Sequence, residues 1–421
     1  MNLRTAIAVL LALVAVMVPA AAQQSPEAPE TIIDLSVPYR AITEGPNAHW
    51  FGYYDKHQFD PSGRYVLSME VDFQGRTPTP DDVVKLGVID IQDGDKWIDL
   101  GESRAWSWQQ GCMLQWLPGS DAKVIYNDRE GDQYVSIIKD VFTGESRTIP
   151  LPVYTVSPDG KIGMSVPFAR IDETRPGYGY KGVVDPYASD PHPANDGIRR
   201  VNLETGEAEL VITFDQIAAI PAPKDPLGKH WFNHLLFSPS GDRFIFLHRA
   251  FWEEGGKGWS TRMFTARPDG SDIYCLADHG MTSHFIWKSP EQILAWSREP
   301  DVKDHFFLYT DQTDQVDMIG DGILTTDGHC TYSPDGEWIL TDTYPNKDRM
   351  MTLMMFRPSD SKLVTLGQFF HPREHSGEFR CDLHPRWDRE GKFITVDSIC
   401  TGLRQIYLID VSSITGGESK N

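Results

Sequence analysis

One short turn occurs seven times in this chain, each time leading into an apolar run, and it restricts the fold more than any other feature. It reads Phe59-Asp60-Pro61-Ser62-Gly63, Trp116-Leu117-Pro118-Gly119, Ser157-Pro158-Asp159-Gly160, Phe237-Ser238-Pro239-Ser240-Gly241, Trp287-Lys288-Ser289-Pro290, Tyr332-Ser333-Pro334-Asp335-Gly336 and Trp387-Asp388-Arg389-Glu390-Gly391. Pro presets φ at the second turn position, Asp or Ser caps the turn, and Gly accepts positive φ. The runs that follow, such as Arg64-Tyr65-Val66-Leu67 and Arg243-Phe244-Ile245-Phe246, are β-branched and aromatic, as a half-buried strand requires. A second hairpin signal follows several of them, for example Asp140-Val141-Phe142-Thr143-Gly144 and Asn202-Leu203-Glu204-Thr205-Gly206. The turn prolines at 61, 118, 158, 239, 290 and 334 lie 40 to 81 residues apart. The shorter steps match one four-stranded propeller blade, and the longer ones imply inserted loops. The expectation is an all-β chain folded as one seven-bladed β-propeller. Thr31 to Leu35 is expected to close the ring by pairing with the last strand, which contains Ile406. The largest insertion runs from about Phe168 to Arg200, where a rigid ring would carry a binding loop.

The ends of the chain read differently. Arg4, the apolar run Ala6 to Val18, Pro19 and Ala20-Ala21-Ala22 form a secretory signal pattern. This divides the chain into a leader over 1–22, a propeller over 23–415 and a polar tail over 416–421. The expected location is periplasmic or secreted, without a membrane anchor, because 13 apolar residues fall short of the ~20 that span a bilayer. With 60 Asp+Glu against 39 Lys+Arg, the formal charge is −21. That sign disfavours nucleic acid. The five cysteines are odd in number and lack a C-x-x-C pair, so they read mostly as small buried strand residues.

Four successive repeats place a histidine three residues ahead of the turn aromatic: His234 before Phe237, His284 before Trp287, His329 before Tyr332 and His384 before Trp387. In a propeller this is the innermost strand, so the four imidazoles would meet round the central channel. Asp382 and His384, two apart on a strand, would face the same side. Imidazole with carboxylate suits a divalent metal such as Mn, Zn or Fe, and His284, His329, Asp382 and His384 are the candidate ligands. Candidates for holding an anion are Arg129, Arg170, Arg249 and Arg262, with Tyr53 on the channel rim. The chain lacks a G-x-S-x-G elbow, a Walker loop and an H-E-x-x-H helix.

From His234 onward the chain resembles the oligogalacturonate lyases, periplasmic seven-bladed propellers with TolB-like repeats. The features that carry the resemblance are His234 before the fourth turn, Arg262-Met263-Phe264 followed by Asp269-Gly270-Ser271, Thr282-Ser283-His284-Phe285-Ile286-Trp287, and His384-Pro385. The resemblance implies His234 as general base and a manganese ion held by His284 and a Gln-x-x-His-x-His segment. Here that segment is Phe379-Arg380-Cys381-Asp382-Leu383-His384. It keeps the final histidine, with Asp382 at the middle one and Phe379 at the glutamine. The function expected is metal-assisted β-elimination on an acidic, uronate-containing oligosaccharide, with Arg262 neutralising the anion. The alternative is a non-catalytic TolB-like propeller that binds a protein or glycan partner. A glycoside hydrolase would need two facing carboxylates, and the sequence offers no strong pair.

Overall fold

The computed structural model describes residues 32–416; the segment expected to be a leader, over 1–22, and the expected tail beyond Gly416 lie outside the described residues. Seven antiparallel sheets follow one another along the chain. Their innermost strands are Ala48–Trp50, Gln115–Trp116, Thr155–Val156, His230–Phe237, Thr282–Trp287, Thr331–Tyr332 and Arg386–Trp387, in blades 1 to 7. Each recurrent turn joins an inner strand to the next strand of its blade. Its defining bond is present in Gly63 N to Asp60 O at 3.1 Å, Gly160 N to Ser157 O at 2.8 Å, Gly241 N to Ser238 O at 2.9 Å and Gly336 N to Ser333 O at 2.8 Å. The fold is therefore the expected seven-bladed propeller.

Ring closure differs from the expectation. Tyr39–Ala41, not the segment near Thr31, completes blade 7 by pairing with Gln405–Asp410, with Arg40 opposite Leu408. Ile33–Leu35 instead adds a fifth strand to blade 6, with Asp34 opposite Gln368. The closing strand must lie just before blade 1 in sequence, and Tyr39–Ala41 ends seven residues before Ala48. All three of its residues are exposed, so it carries no apolar alternation to mark it as a strand.

The chain alternates direction, so the recurrent turns lie at one end of the ring, the turn end. Connections between second and third strands, and between blades, lie at the other, the loop end. The long insertion falls between Ile162–Ser165 and Gly197–Asn202 of blade 3 and contains a two-turn helix, α1 (Phe168–Thr174). Phe168 of that helix stacks on Tyr180 at 4.2 Å, which folds the insertion onto the apolar cluster under blades 3 and 4. Among the described residues no helix is long and apolar enough to cross a membrane. The five cysteines are free. Four are buried, but only Cys275 lies in a strand.

Candidate functional site

The channel is filled near its loop end by Tyr53 and Tyr54, carried on the segment after the first strand of blade 1. Asp397 of blade 7 holds that segment, accepting from Phe51 N at 3.2 Å and Gly52 N at 3.1 Å. The four phased histidines surround the tyrosine pair. Tyr53 lies 4.9 Å from the His234 ring and 5.2 Å from that of His384. Tyr54 lies 5.8 Å from His284 and 5.3 Å from His329. Two of the histidines reach inward through an unusual backbone: φ is +55° at His234 and +43° at His384. Met113, in the same phase of blade 2, repeats it at +57°. Left-handed φ at a non-glycine residue is uncommon and costs of order 1–3 kcal/mol.

His329, Asp382 and His384 form the compact part of the cluster, with one ligand atom from each within 4.8 Å of the others. The His284 ring stands 4.1 Å from His329 but outside that set. Carboxylates orient two of the rings. His284 Nδ1 meets Asp327 at 2.9 Å, and His329 Nδ1 meets Asp342 at 2.9 Å. Asp342 also accepts from the backbone N of His329 at 2.7 Å and of His384 at 3.2 Å. A carboxylate on Nδ1 fixes that proton and leaves Nε2 with a lone pair, the arrangement that supports a metal-ligating histidine. Burial lowers the His329 pKa, but Asp342, with Asp382 and Asp327, together outweigh it and the net direction is up. Burial, with His329 next, pushes His384 well below the usual range. His384 Nε2 is buried and has no hydrogen-bond partner among the described residues. Such an orphaned atom is costly unless something absent from the protein chain meets it. Asp382 is gripped by Arg380 at 2.5 and 2.7 Å. Burial raises its pKa, yet Arg380 and the two histidines outweigh that and keep it ionised. Two imidazoles and an ionised carboxylate round an unsatisfied nitrogen fit a divalent transition metal.

His234 stacks on Phe285 with ring centroids 3.9 Å apart. Burial first, then the charges of His284, Lys56, Arg249 and His329, keep it neutral. Its Nε2 lies 3.3 Å from the Tyr54 hydroxyl and 3.6 Å from Asp55 Oδ2. Tyr54 Oη in turn donates to Phe285 O and accepts from Phe285 N, both at 2.9 Å.

Of the anion-binding candidates, the structure brings Tyr53 and Arg249 to the histidines. Arg249 is buried, its Nε has no partner among the described residues, and burial followed by Arg175 lowers its pKa to about 10. It stays charged, close enough to Tyr53, Tyr178 and Tyr154 for those groups to affect its ionisation. The other three arginines are committed to protein groups. Arg129 donates to Gly182 O at 3.3 Å and Pro80 O at 2.5 Å. Arg170, on α1, pairs with Asp185 at 2.9 Å and donates to the carbonyls of His230, Tyr187, Asp190 and Pro191. Arg262 donates to Ile217 O and Ile220 O at 2.8 Å and meets His248 Nδ1 at 3.3 Å. Spacing alone could not separate Arg249 from Arg262, because both flank one hairpin. Their facing partners decide. Tyr344, 5.8 Å from His329 and under the Arg380 guanidinium, belongs to the site but has no signal in the repeat. Asp342 is also outside the phase. Asp327 could have been read from Asp327-Gly328-His329, where a Cβ on Gly328 would lie 1.9 Å from Asp342 O.

The fold and site define a class: a seven-bladed propeller whose channel holds a buried histidine–carboxylate cluster. Two solved structures of this shape are oligogalacturonate lyases. One, from Vibrio parahaemolyticus, is 14% identical with a TM-score of 0.62, covering 89% of this chain and 94% of that one. The other, an oligogalacturonate lyase in complex with manganese, is 15% identical with a TM-score of 0.65, covering 90% and 96%. A prolyl endopeptidase is 14% identical with a TM-score of 0.53, covering 87% of this chain and 48% of that one. At these identities the likeness is one of fold. No family model and no curated protein matches the chain.

Proposed function

We propose that the chain is a metal-assisted lyase that cleaves uronate-containing oligosaccharides by β-elimination. The observation that carries this reading is the unpartnered, buried His384 Nε2 beside His329 and Asp382. His234 and the unpaired Arg249 complete it. β-Elimination removes a weakly acidic proton next to a carboxylate, so it needs a neutral base and fixed positive charge. His329, Asp382 and His384, with His284 adjacent, would hold the ion, and manganese is the one we propose. Bound there, it would supply positive charge that stabilises developing negative charge on the substrate carboxylate.

The chain's own groups do the rest. The single Tyr54 hydroxyl proton goes to Phe285 O, so Tyr54 accepts from His234. That puts the His234 proton on Nε2 and the basic lone pair on Nδ1. A base so positioned contributes about 10²–10⁴-fold in rate. Arg249, whose buried Nε has no partner among the described residues, is free to meet a carboxylate through its guanidinium. Tyr53, between His234 and His384, walls the space where a sugar ring would sit. The same proposal includes cleavage of the leader after residue 22 and action in the periplasm or outside the cell.

The test is a panel of uronate oligosaccharides incubated with metal-loaded protein, followed by ultraviolet absorbance and mass. A lyase yields an unsaturated uronate without addition of water. Products heavier by one water would overturn β-elimination. A protein that takes up no metal and turns over no uronate would favour the binding propeller instead.

A further inference from the structure

His234 has a second neighbour that the proposed reaction leaves unused. Asp55 Oδ2 lies 3.6 Å from His234 Nε2 and 3.1 Å from Lys56 Nζ. The side chains of Asp55 and Lys56 are 0% and 4% exposed. Asp55 Oδ1 has no partner among the described residues. Beyond this pair the channel opens at the turn end into a cavity of about 700 Å³, lined by Asp55, Lys56, His57, Gln115, Thr155 and Arg389 among others. The pair thus stands between the histidine cluster and the far mouth.

Charge makes the arrangement consequential. The groups acting on His234 after burial are His284, Lys56, Arg249 and His329, and each opposes its protonation. Once His234 has taken a proton it is an imidazolium in a buried, positive setting. Asp55 is the one carboxylate within 4 Å of it among the described residues. Burial raises the Asp55 pKa against the pull of Lys56, so this carboxylate can also accept a proton.

We infer that Asp55 is a positioning residue that, beside Tyr54, keeps the His234 proton on Nε2 and offsets the positive charge His234 acquires as base. The inference rests on His234 acting as the base. The substrate C–H proton moves to Nδ1, and its bonding electrons form the new carbon–carbon double bond. The carbon–oxygen bond breaks with its electrons on the leaving oxygen. Nδ1 then gives that proton to the leaving oxygen, which returns His234 to its neutral form with its own proton still on Nε2. The net reaction therefore neither releases nor consumes a proton.

Two measurements test this and separate it from the lyase reading. Histidine-selective ¹⁵N NMR on the wild-type protein, with His234 identified by loss of its signals in His234→Gln, should show a protonated Nε2 and an unprotonated Nδ1. Asp55→Asn should lower kcat on the order of 10²-fold or more, the scale seen when the carboxylate behind a catalytic histidine is neutralised. KM and metal content should stay within about twofold, since no ligand or substrate contact changes. A wild-type proton on Nδ1 would overturn the inference, as would Asp55→Asn at the wild-type rate. A parallel loss of metal, KM and kcat in Asp55→Asn would reduce Asp55 to a packing residue and would overturn it too. If Asp55→Asn lowers the His234 pKa read by the same ¹⁵N signals but no uronate is turned over, the Asp55–His234 pairing stands and the lyase reading fails.

Discussion

The two ends of the channel are built from the same seven repeats, yet they differ in kind. At the turn end neighbouring blades meet through the repeat itself. A Cβ on Gly160 would lie 2.1 Å from Pro118 O, one on Gly241 3.2 Å from Pro158, and one on Gly391 3.3 Å from Pro334. These three turn glycines nest against a preceding blade's proline, so the same contact recurs at three places round the ring. At the loop end nothing recurs except the histidine phase. The Phe168–Arg200 insertion, Tyr344 and the Arg380–Asp382 pair each occur once. Repetition builds the scaffold, and the unrepeated segments supply the chemistry laid on it.

Substitutions at the loop end should therefore divide by role. The largest effect is expected from His384→Ala, which should lose metal and activity together because it removes a ligand. His234→Ala should cost about 10²–10⁴-fold in kcat with metal retained. Elemental analysis beside the absorbance assay checks both, and metal loss in His234→Ala would break the distinction.

The two arginines of the blade 4 hairpin sharpen the contrast further. Arg249→Gln should raise KM roughly 10–100-fold, the loss of one charged hydrogen bond to the substrate, with little change in melting temperature. Arg262→Gln should instead lower stability by about 1–3 kcal/mol, because Ile217 O, Ile220 O and His248 lose a buried donor. Its KM should stay near wild type. Steady-state kinetics and denaturant melts distinguish the two, and exchanged outcomes would reverse the reading of the hairpin.

Acid should also act at the loop end. Burial holds His230 at about 3 and His371 at about 4, below the unfolded value of about 6.5. Between those values the unfolded chain binds the extra protons. Stability is thus full above pH 6.5 and falls as pH drops toward 4, by about 1.4 kcal/mol per pH unit for each histidine. Urea unfolding at three pH values measures the slope, and a flat profile would contradict it.

The smallest effects belong to the turn end. Gly63→Ala, where a Cβ meets nothing within 4 Å, should cost only the left-handed backbone term of about 1–2 kcal/mol. Gly160→Ala should cost more, because Pro118 must move. Neither should change KM, and thermal melts with kinetics would show whether the turn end is as separate as its geometry indicates.

The recurrent turn and the spacing of its prolines were enough to specify a seven-bladed propeller, because one strand–turn–strand unit repeated seven times, with insertions, has few other ways to bury its strands. The phase of His234, His284, His329 and His384 likewise came from sequence, since equal offsets in equal blades converge on one axis. Asp382 was legible through its spacing from His384. The closing strand was not, because Tyr39–Ala41 is exposed and has no apolar pattern. Nor was the choice among arginines. Arg129, Arg170, Arg249 and Arg262 have the same chemistry in one dimension. Only the folded chain decides which guanidinium finds backbone carbonyls and which is left facing the channel. The same holds for Asp342: a carboxylate becomes an orienting partner through three-dimensional proximity, and the repeat does not encode it.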